Sequence, residues 1–385
     1  MEALALNSRY AFADNPIRVT ASAEEFGGAD ILRFNISSVG GVILYSGNVT
    51  PPLNVDISDV VKAFAKQWKE IPAEDDSPVV LLENMNDRAL RFSVEGFSSF
   101  VFTAVPGGVS KQNFQIYAEA GMDAFQARFL NYHGNFFLTA RSPFARLEIK
   151  ESELTPLYFI SDPAIRKLDI IEKINGSRLS VSDLDVGLYA LNLDAVRRWF
   201  FINNGILCNC FDVEVNNRKC VSVTIRESAI SKKIIKVRFK NSFGVYELIE
   251  LASTVDSTFS MSGGEEVEHQ KFQMVTGDWE KSRNRIPVHS AIQAELGPVL
   301  KSELPFILNM VSSDDVEIIG WQDYPVKVTP TIEESSVPVD VDVPFYIKVT
   351  FKSVTEEFNA LREINSVKSS EPGGKFSVEF DEKFL

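Results

Sequence analysis

The groups in this chain able to carry acid–base, nucleophilic or metal chemistry are three histidines, three cysteines and 53 acidic side chains. His133, His269 and His289 lie far apart, and none stands in an H-x-x-x-H pair or beside a carboxylate at ligand spacing. Cys208 and Cys210 are one residue apart on a strand-like run, and Cys220 follows, an odd count without C-x-x-C. That pattern supports neither a disulfide framework nor a zinc site, and it reads as buried thiols in a reducing compartment. No G-x-S-x-G elbow, P-loop or G-x-G-x-x-G is present. Glycoside hydrolysis needs only two carboxylates at a set separation, so the acidic residues leave that reaction open. Clusters such as Glu74-Asp75-Asp76, Asp314-Asp315, Glu333-Glu334 and Glu356-Glu357 read as solvated loop faces, with no EF-hand spacing to make a Ca²⁺ loop. No catalytic residue, cofactor or metal is expected. Of four tryptophans, Trp68 and Trp199 fall on apolar helix faces and read as core. Trp279 and Trp321 stand in loop-like surroundings and are the candidate ligand or partner contacts, since exposed aromatics stack sugars or anchor a partner.

The elements that must position these groups are short strands bounded by Gly, Pro, Asn or Asp. They are predicted at Ile31–Ile36, Val42–Tyr45, Val79–Leu82, Arg91–Val94, Ser99–Thr103, Phe114–Ala118, Phe136–Ala140 and Ala145–Lys150. The series continues at Leu168–Ile174, Cys210–Val215, Val221–Arg226, Ile234–Phe239, Tyr246–Leu251 and Phe272–Val275, then Val316–Ile319, Pro325–Thr329 and Phe345–Lys352. The 29 phenylalanines fall mostly in or beside these runs, so the fold is mainly β, built of tandem β-sandwich-like modules with a few short helices. After Asp56, the spacing of Ile57, Val60, Val61, Phe64 and Trp68 predicts one helix, with Asp56 as cap and Pro72 past its end. A second follows Asp194, and a third spans about Ser302 to Val311, with Ser302 as cap and Pro305 in the first turn.

Two pairs of segments resemble each other. Asp14-Asn15-Pro16-Ile17-Arg18 matches Asp162-Pro163-Ala164-Ile165-Arg166, each preceded by a phenylalanine, Phe12 or Phe159. Leu53-Asn54-Val55-Asp56 and Leu191-Asn192-Leu193-Asp194 each lead into a predicted helix. This predicts a duplicated β module with a strand-to-helix corner. The polar stretches Glu151–Pro156 and Arg226–Lys233 then separate modules at residues 1–152, 153–232 and 233–365. Residues 366–385 read as a flexible tail in which Phe376–Phe380 could form one last strand, open to addition onto a neighbour.

At 385 residues two or three domains are expected. Lys plus Arg number 39 against 53 acids, a net charge of −14 that disfavours nucleic acid and anionic membrane surfaces. Met1 to Ile17 has neither a basic n-region nor an apolar h-region, which predicts no secretory signal and synthesis in the cytoplasm. No run of roughly 18 apolar residues is present to span a membrane.

The third module begins with Lys236 to Lys240 (KVRFK), the turn Asn241-Ser242-Phe243-Gly244 and the strand Tyr246–Leu251. The region Phe272–Val275, the helix Leu304–Val311 running into Ser312-Ser313-Asp314-Asp315, and the strand Val316–Ile319 come next. Tyr324-Pro325-Val326-Lys327-Val328 and the strand Phe345–Phe351 close it. This order resembles structural proteins from tails of phages and prophages of Bacteroides-type bacteria, akin to distal tail or baseplate hub components, over about a third of the chain. The resemblance does not place the first two modules. It implies a virion tail component that assembles with itself and with other tail proteins and is not an enzyme. The reading of the residues themselves keeps a glycan- or surface-binding β-sandwich protein open as the alternative.

Overall fold

The structure is a computed structural model that describes residues 5–6, 10–22, 30–65, 67–72, 75–97, 99–109, 114, 136–141, 146–161, 165, 167–227, 235–251, 255–261, 268–283, 288–322, 324–332 and 343–354. Among these the chain is mainly β, with three α-helices. It divides into two compact units. The first takes Met1–Ile230, Phe239–Ile249 and Ser302–Asp314; the second takes Ser231–Arg238, Glu250–Lys301 and Asp315–Leu385.

Apolar residues at every second position make the first sheet. Leu32, Phe34 and Ile36 of strand Leu32–Ser38, and Leu90, Phe92 and Val94 of strand Ala89–Val94, are buried. Antiparallel register sets Phe34 opposite Val94 and Ile36 opposite Phe92. Phe34 stacks on Phe92 at 5.4 Å between ring centroids, and Phe92 on Phe100 at 5.5 Å. Each such aromatic pair adds about 0.5–1.5 kcal/mol beyond its buried area. The sheet runs Tyr10–Phe12, Ser99–Val105, Ala89–Val94, Leu32–Ser38, Ile43–Val49, its first pair parallel and the rest antiparallel. Arg18–Ala21 pairs antiparallel with Leu53–Asp56, and helix α1 (Ser58–Phe64) follows. Val19, Leu53 and Val61 from these elements share one core with Phe34, Phe92 and Phe102.

Strand for strand, residues 146–226 repeat this arrangement. Their sheet runs Arg146–Lys150, Arg218–Arg226, Cys210–Val215, Lys167–Glu172, Arg178–Ser182, again with a parallel first pair and antiparallel neighbours. Leu157–Ser161 pairs antiparallel with Gly187–Leu191, which leads into helix α2 (Leu193–Asn204). Asn192 caps α2 by accepting from the Ala195 N–H at 3.3 Å, and Gly205 ends it in the left-handed conformation, φ +67°. Leu193, Val196 and Phe200 line its buried face. The second repeat thus takes its first strand from before residue 153. Of the two segment matches, Leu53–Asp56 with Leu191–Asp194 is in topological register. The other is not: Asp14-Asn15-Pro16 precedes the strand Arg18–Ala21, whereas Asp162 follows the equivalent strand Leu157–Ser161.

The repeats are joined within the first unit. Strand Val79–Asn84, inserted after α1, pairs with Gly187–Leu191 of the second repeat. Tyr10, Phe12, Met85, Tyr158, Ile160 and Leu188 form a shared core between them. The helix predicted to reach Trp68 stops at Phe64, and Asp56 accepts from the Ser58 and Ile17 N–H groups at 2.9 and 3.2 Å without being the N-cap residue. The predicted strand Phe136–Ala140 is irregular chain, tied to Tyr158 by one backbone hydrogen bond of 2.8 Å. All but the first residue of Phe114–Ala118, and all of Phe376–Phe380, lie outside the described residues.

In the second unit Val316–Ile319, Val326–Ile332, Phe345–Ser353, Val288–Val299 and Val255–Met261 are consecutive antiparallel neighbours. Phe345, Ile347, Val349 and Phe351 alternate inward. Glu268–Gln273 and Asp278–Arg283 form a separate two-stranded hairpin. Helix α3 (Leu304–Val311), which belongs with the first unit, has Pro305 in its first turn as predicted, but Glu303 precedes it and supplies no side-chain cap.

Candidate functional site

The turn Asn241–Gly244, within the first unit, gathers a buried polar network. Asn241 is buried; its Oδ1 accepts from the Phe243 and Val245 N–H groups at 2.9 and 3.3 Å, which closes the turn from the side chain. Its Nδ2 donates to the Leu138 carbonyl at 3.1 Å and to Glu247 Oε2 at 2.8 Å. Buried Glu247 also accepts from the Thr139 hydroxyl and, at 3.1 Å, from the Ala140 N–H. The Trp68 indole donates to the Phe243 carbonyl at 2.8 Å, and the Arg88 guanidinium lies 4.2 Å over its ring while pairing with Glu83 at 2.8 Å. Buried polar groups hold only when they are partnered, and here the partners tie the turn to Trp68 after α1 and to the segment Leu138–Ala140 between the repeats.

Beside this turn lies a cavity of about 720 Å³. Two ion pairs line it, Lys62–Asp14 at 2.6 Å and Lys240–Asp314 at 2.7 Å. The hydrogen bond that Lys62 donates to Asp14, reinforced by the carboxylate's charge, raises the Lys62 ammonium above its ordinary pKa. Ser242 N–H donates to Asn309 Oδ1 at 2.7 Å, and Gly108 N–H to the Ser242 carbonyl at 2.5 Å. Gly107 has φ +79°, and a Cβ there would run into the Ser242 carbonyl oxygen, so two backbones meet directly at this wall. Each cation here already faces a carboxylate, so the cavity offers balanced hydrogen bonding and no unopposed charge to draw an ionic ligand.

Among the described residues, the carboxylates with shifted pKa lie in the second repeat. Asp169, fully buried, pairs with Lys167 at 2.8 Å and Arg178 at 3.3 Å and accepts from Ser180 at 2.5 Å. Asp212 pairs with Lys219 at 2.8 Å and Lys173 at 3.1 Å and accepts from Ser222 at 2.7 Å. Burial alone pushes both carboxyls up, but the cations and hydroxyls together outweigh it and hold both below the ordinary carboxylate value. A general acid in glycoside cleavage needs the opposite shift.

Cys208 and Cys220 are buried free thiols pushed up by burial to about 12 and about 11, and Cys210 is half-buried. Cys208 and Cys220 are packing groups of the second repeat's core, with thiols held protonated. Among the described residues no group of three or more His, Cys, Asp and Glu is placed to hold a metal ion. His133 lies outside the described residues; His269 and His289 fall on strands Glu268–Gln273 and Val288–Val299. Trp199 packs partly against the second core, and Trp68 is buried, as the sequence implies.

Trp279 and Trp321 fall on separate elements of the second unit. Trp321 is half-buried in the bend after Val316–Ile319. Trp279 is the second residue of Asp278–Arg283, in register opposite Phe272, one pair from the hairpin turn. In that turn Met274 and Val275 are 91% and 94% exposed. The first unit has its own apolar exposure on the edge strand Ile43–Val49, which sequence patterning places as a strand without showing that its outer side is open. The chain matches no protein-family model and no curated protein, so these surfaces stand on their own chemistry.

Proposed function

We propose that the chain is a non-enzymatic structural protein of a phage tail or phage-like particle, working by assembly with itself and with neighbouring tail proteins. The observation that carries this reading is the hairpin turn with Met274 and Val275. Turns favour Gly, Asn and Asp, and a two-stranded hairpin is marginal by itself. Two bare apolar side chains there forgo about 1.5–3 kcal/mol each that burial against a partner would return. The sequence resemblance of the third module to tail proteins points the same way.

Light scattering on a sizing column over a broad concentration range, with negative-stain images of the largest species, tests the reading. Closed assemblies of defined order that weaken in a Met274→Ser, Val275→Ser double variant are expected. A strict monomer at the highest concentration would remove self-assembly. The Phe272–Trp279 register pair beside the turn favours a second reading, a glycan- or surface-binding protein. Sugar affinity that falls when Trp279→Ala is made in a monomeric chain would establish that one.

A further inference from the structure

Strand Ile43–Val49 is the outer edge of the first repeat's sheet, hydrogen-bonded to Leu32–Ser38 on one side and, among the described residues, to no strand on the other. Edge strands ordinarily carry a charge, a proline or a covering element that prevents pairing with another chain. The equivalent strand in the second repeat, Arg178–Ser182, follows that rule: it is shorter, and its Arg178 is held across the sheet by Asp169 and Glu214. Ile43–Val49 does not. Ile43 is 61% and Tyr45 46% exposed, and Val39, Val42 and Leu44 extend the bare apolar surface. From Phe34 to Val55 there is no charged residue, in a chain that is 24% charged overall.

We infer that this edge pairs with the same edge of a second copy, antiparallel about a two-fold axis, joining two five-stranded sheets into one. The inference rests on the assembly reading above and names one interface for it. Charge selects the occupant. Copies carrying −14 each repel, so they approach most easily where neither presents charge, whereas a basic partner would be drawn to the acidic remainder. The strand is also self-complementary. Centred on Ser46, antiparallel pairing sets Ile43 opposite the partner's Val49 and Tyr45 opposite the partner's Gly47. An aromatic across from a bare glycine is a favourable cross-strand pair. Gly47 is fixed as glycine from within, since a Cβ there would press into the Phe34 ring at 2.6 Å. Each pair occurs twice in a two-fold interface, so each substitution acts twice.

Sedimentation velocity of the full chain over a wide concentration range, for the parent and for Leu44→Lys, Ile202→Lys and Val378→Lys, decides it. Leu44 is exposed on the edge, and Ile202 is an exposed apolar residue on α2 that serves as control. The expected result is a concentration-dependent dimer whose dissociation constant rises at least about tenfold in Leu44→Lys and is unchanged in the other two, with circular dichroism unaltered. If Leu44→Lys associates like the parent, the edge is not the interface, and the assembly reading survives through another surface. If Val378→Lys dissociates the dimer as strongly as Leu44→Lys, the edge receives the segment Phe376–Phe380, and edge-to-edge pairing is overturned. A parent that stays monomeric overturns the pairing and self-assembly together.

Discussion

The two repeats of the first unit share one strand order and differ in what they place on it. The first builds a stacked aromatic core, Phe34 on Phe92 on Phe100, and leaves its outermost strand uncharged and, among the described residues, open. The second spends its charges on its own sheet, where Asp169 and Asp212 each gather two cations and a hydroxyl. The lesson is that topology and surface are set separately. Inward positions of the strands keep the fold, and outward positions decide whether a sheet stands alone or invites a neighbour.

The largest effect comes from the cores. Phe92→Ala and Phe211→Ala remove fully buried rings at equivalent strands of the two repeats and should each cost about 3–5 kcal/mol. Because Val79–Asn84 and the shared core join the repeats, either variant should lower one common calorimetric transition. Two transitions moving independently would show that the repeats are separate folding units. A smaller effect tests the ionic sheet. Folded-state values of Asp169 and Asp212 lie below the unfolded value near about 3.9. Their stabilisation is therefore present above about pH 4 and lost as pH falls through the folded values. Asp169→Asn should flatten the acid limb of urea-unfolding midpoints and cost about 1 kcal/mol at neutral pH, since Lys167 and Arg178 keep part of their hydration. An unchanged acid limb would mean that the charges contribute nothing net. The smallest effect is at the cavity. Lys62→Met should shift the thermal midpoint by the equivalent of less than about 1 kcal/mol, because Lys62 and Asp14 are both well hydrated. A larger loss would give the first repeat an ionic clamp like that of the second.

What was legible in the sequence follows from period and burial. Cys210–Val215, Tyr246–Leu251 and Val316–Ile319 are found at their predicted bounds, each with turn residues alongside. Leu157–Ser161 and Gly187–Leu191 are buried at every position, so no alternation marks them. Phe136–Ala140 shows the converse: its phenylalanines are core residues, but on irregular chain, with Phe136 stacked at 4.8 Å on Phe159. The turn Asn241–Gly244 is readable as a turn, and Glu247 lies close by on the strand that leaves it, yet the partners Leu138 and Trp68 are brought to it by the fold and lie outside any local pattern. Trp68 keeps its predicted burial for a reason other than helical spacing, its indole being anchored to the Phe243 carbonyl. The openness of Ile43–Val49 depends on which strand lies last in the sheet, and strand order is a tertiary property.

The parallel pairing of first and last strands has a mechanical meaning. In each repeat the entering strand lies alongside the leaving strand and points the same way, so tension along the chain pulls the two lengthwise past each other. Hydrogen bonds arranged like that are loaded together in shear, unlike a hairpin, which opens one bond at a time. Among the described residues, five residue pairs carry this load between Arg146–Lys150 and Arg218–Arg226, and three between Tyr10–Phe12 and Ser99–Val105. Under such tension the longer ladder of the second repeat resists as one block, and the first repeat, with the shorter ladder among the described residues, would give before it.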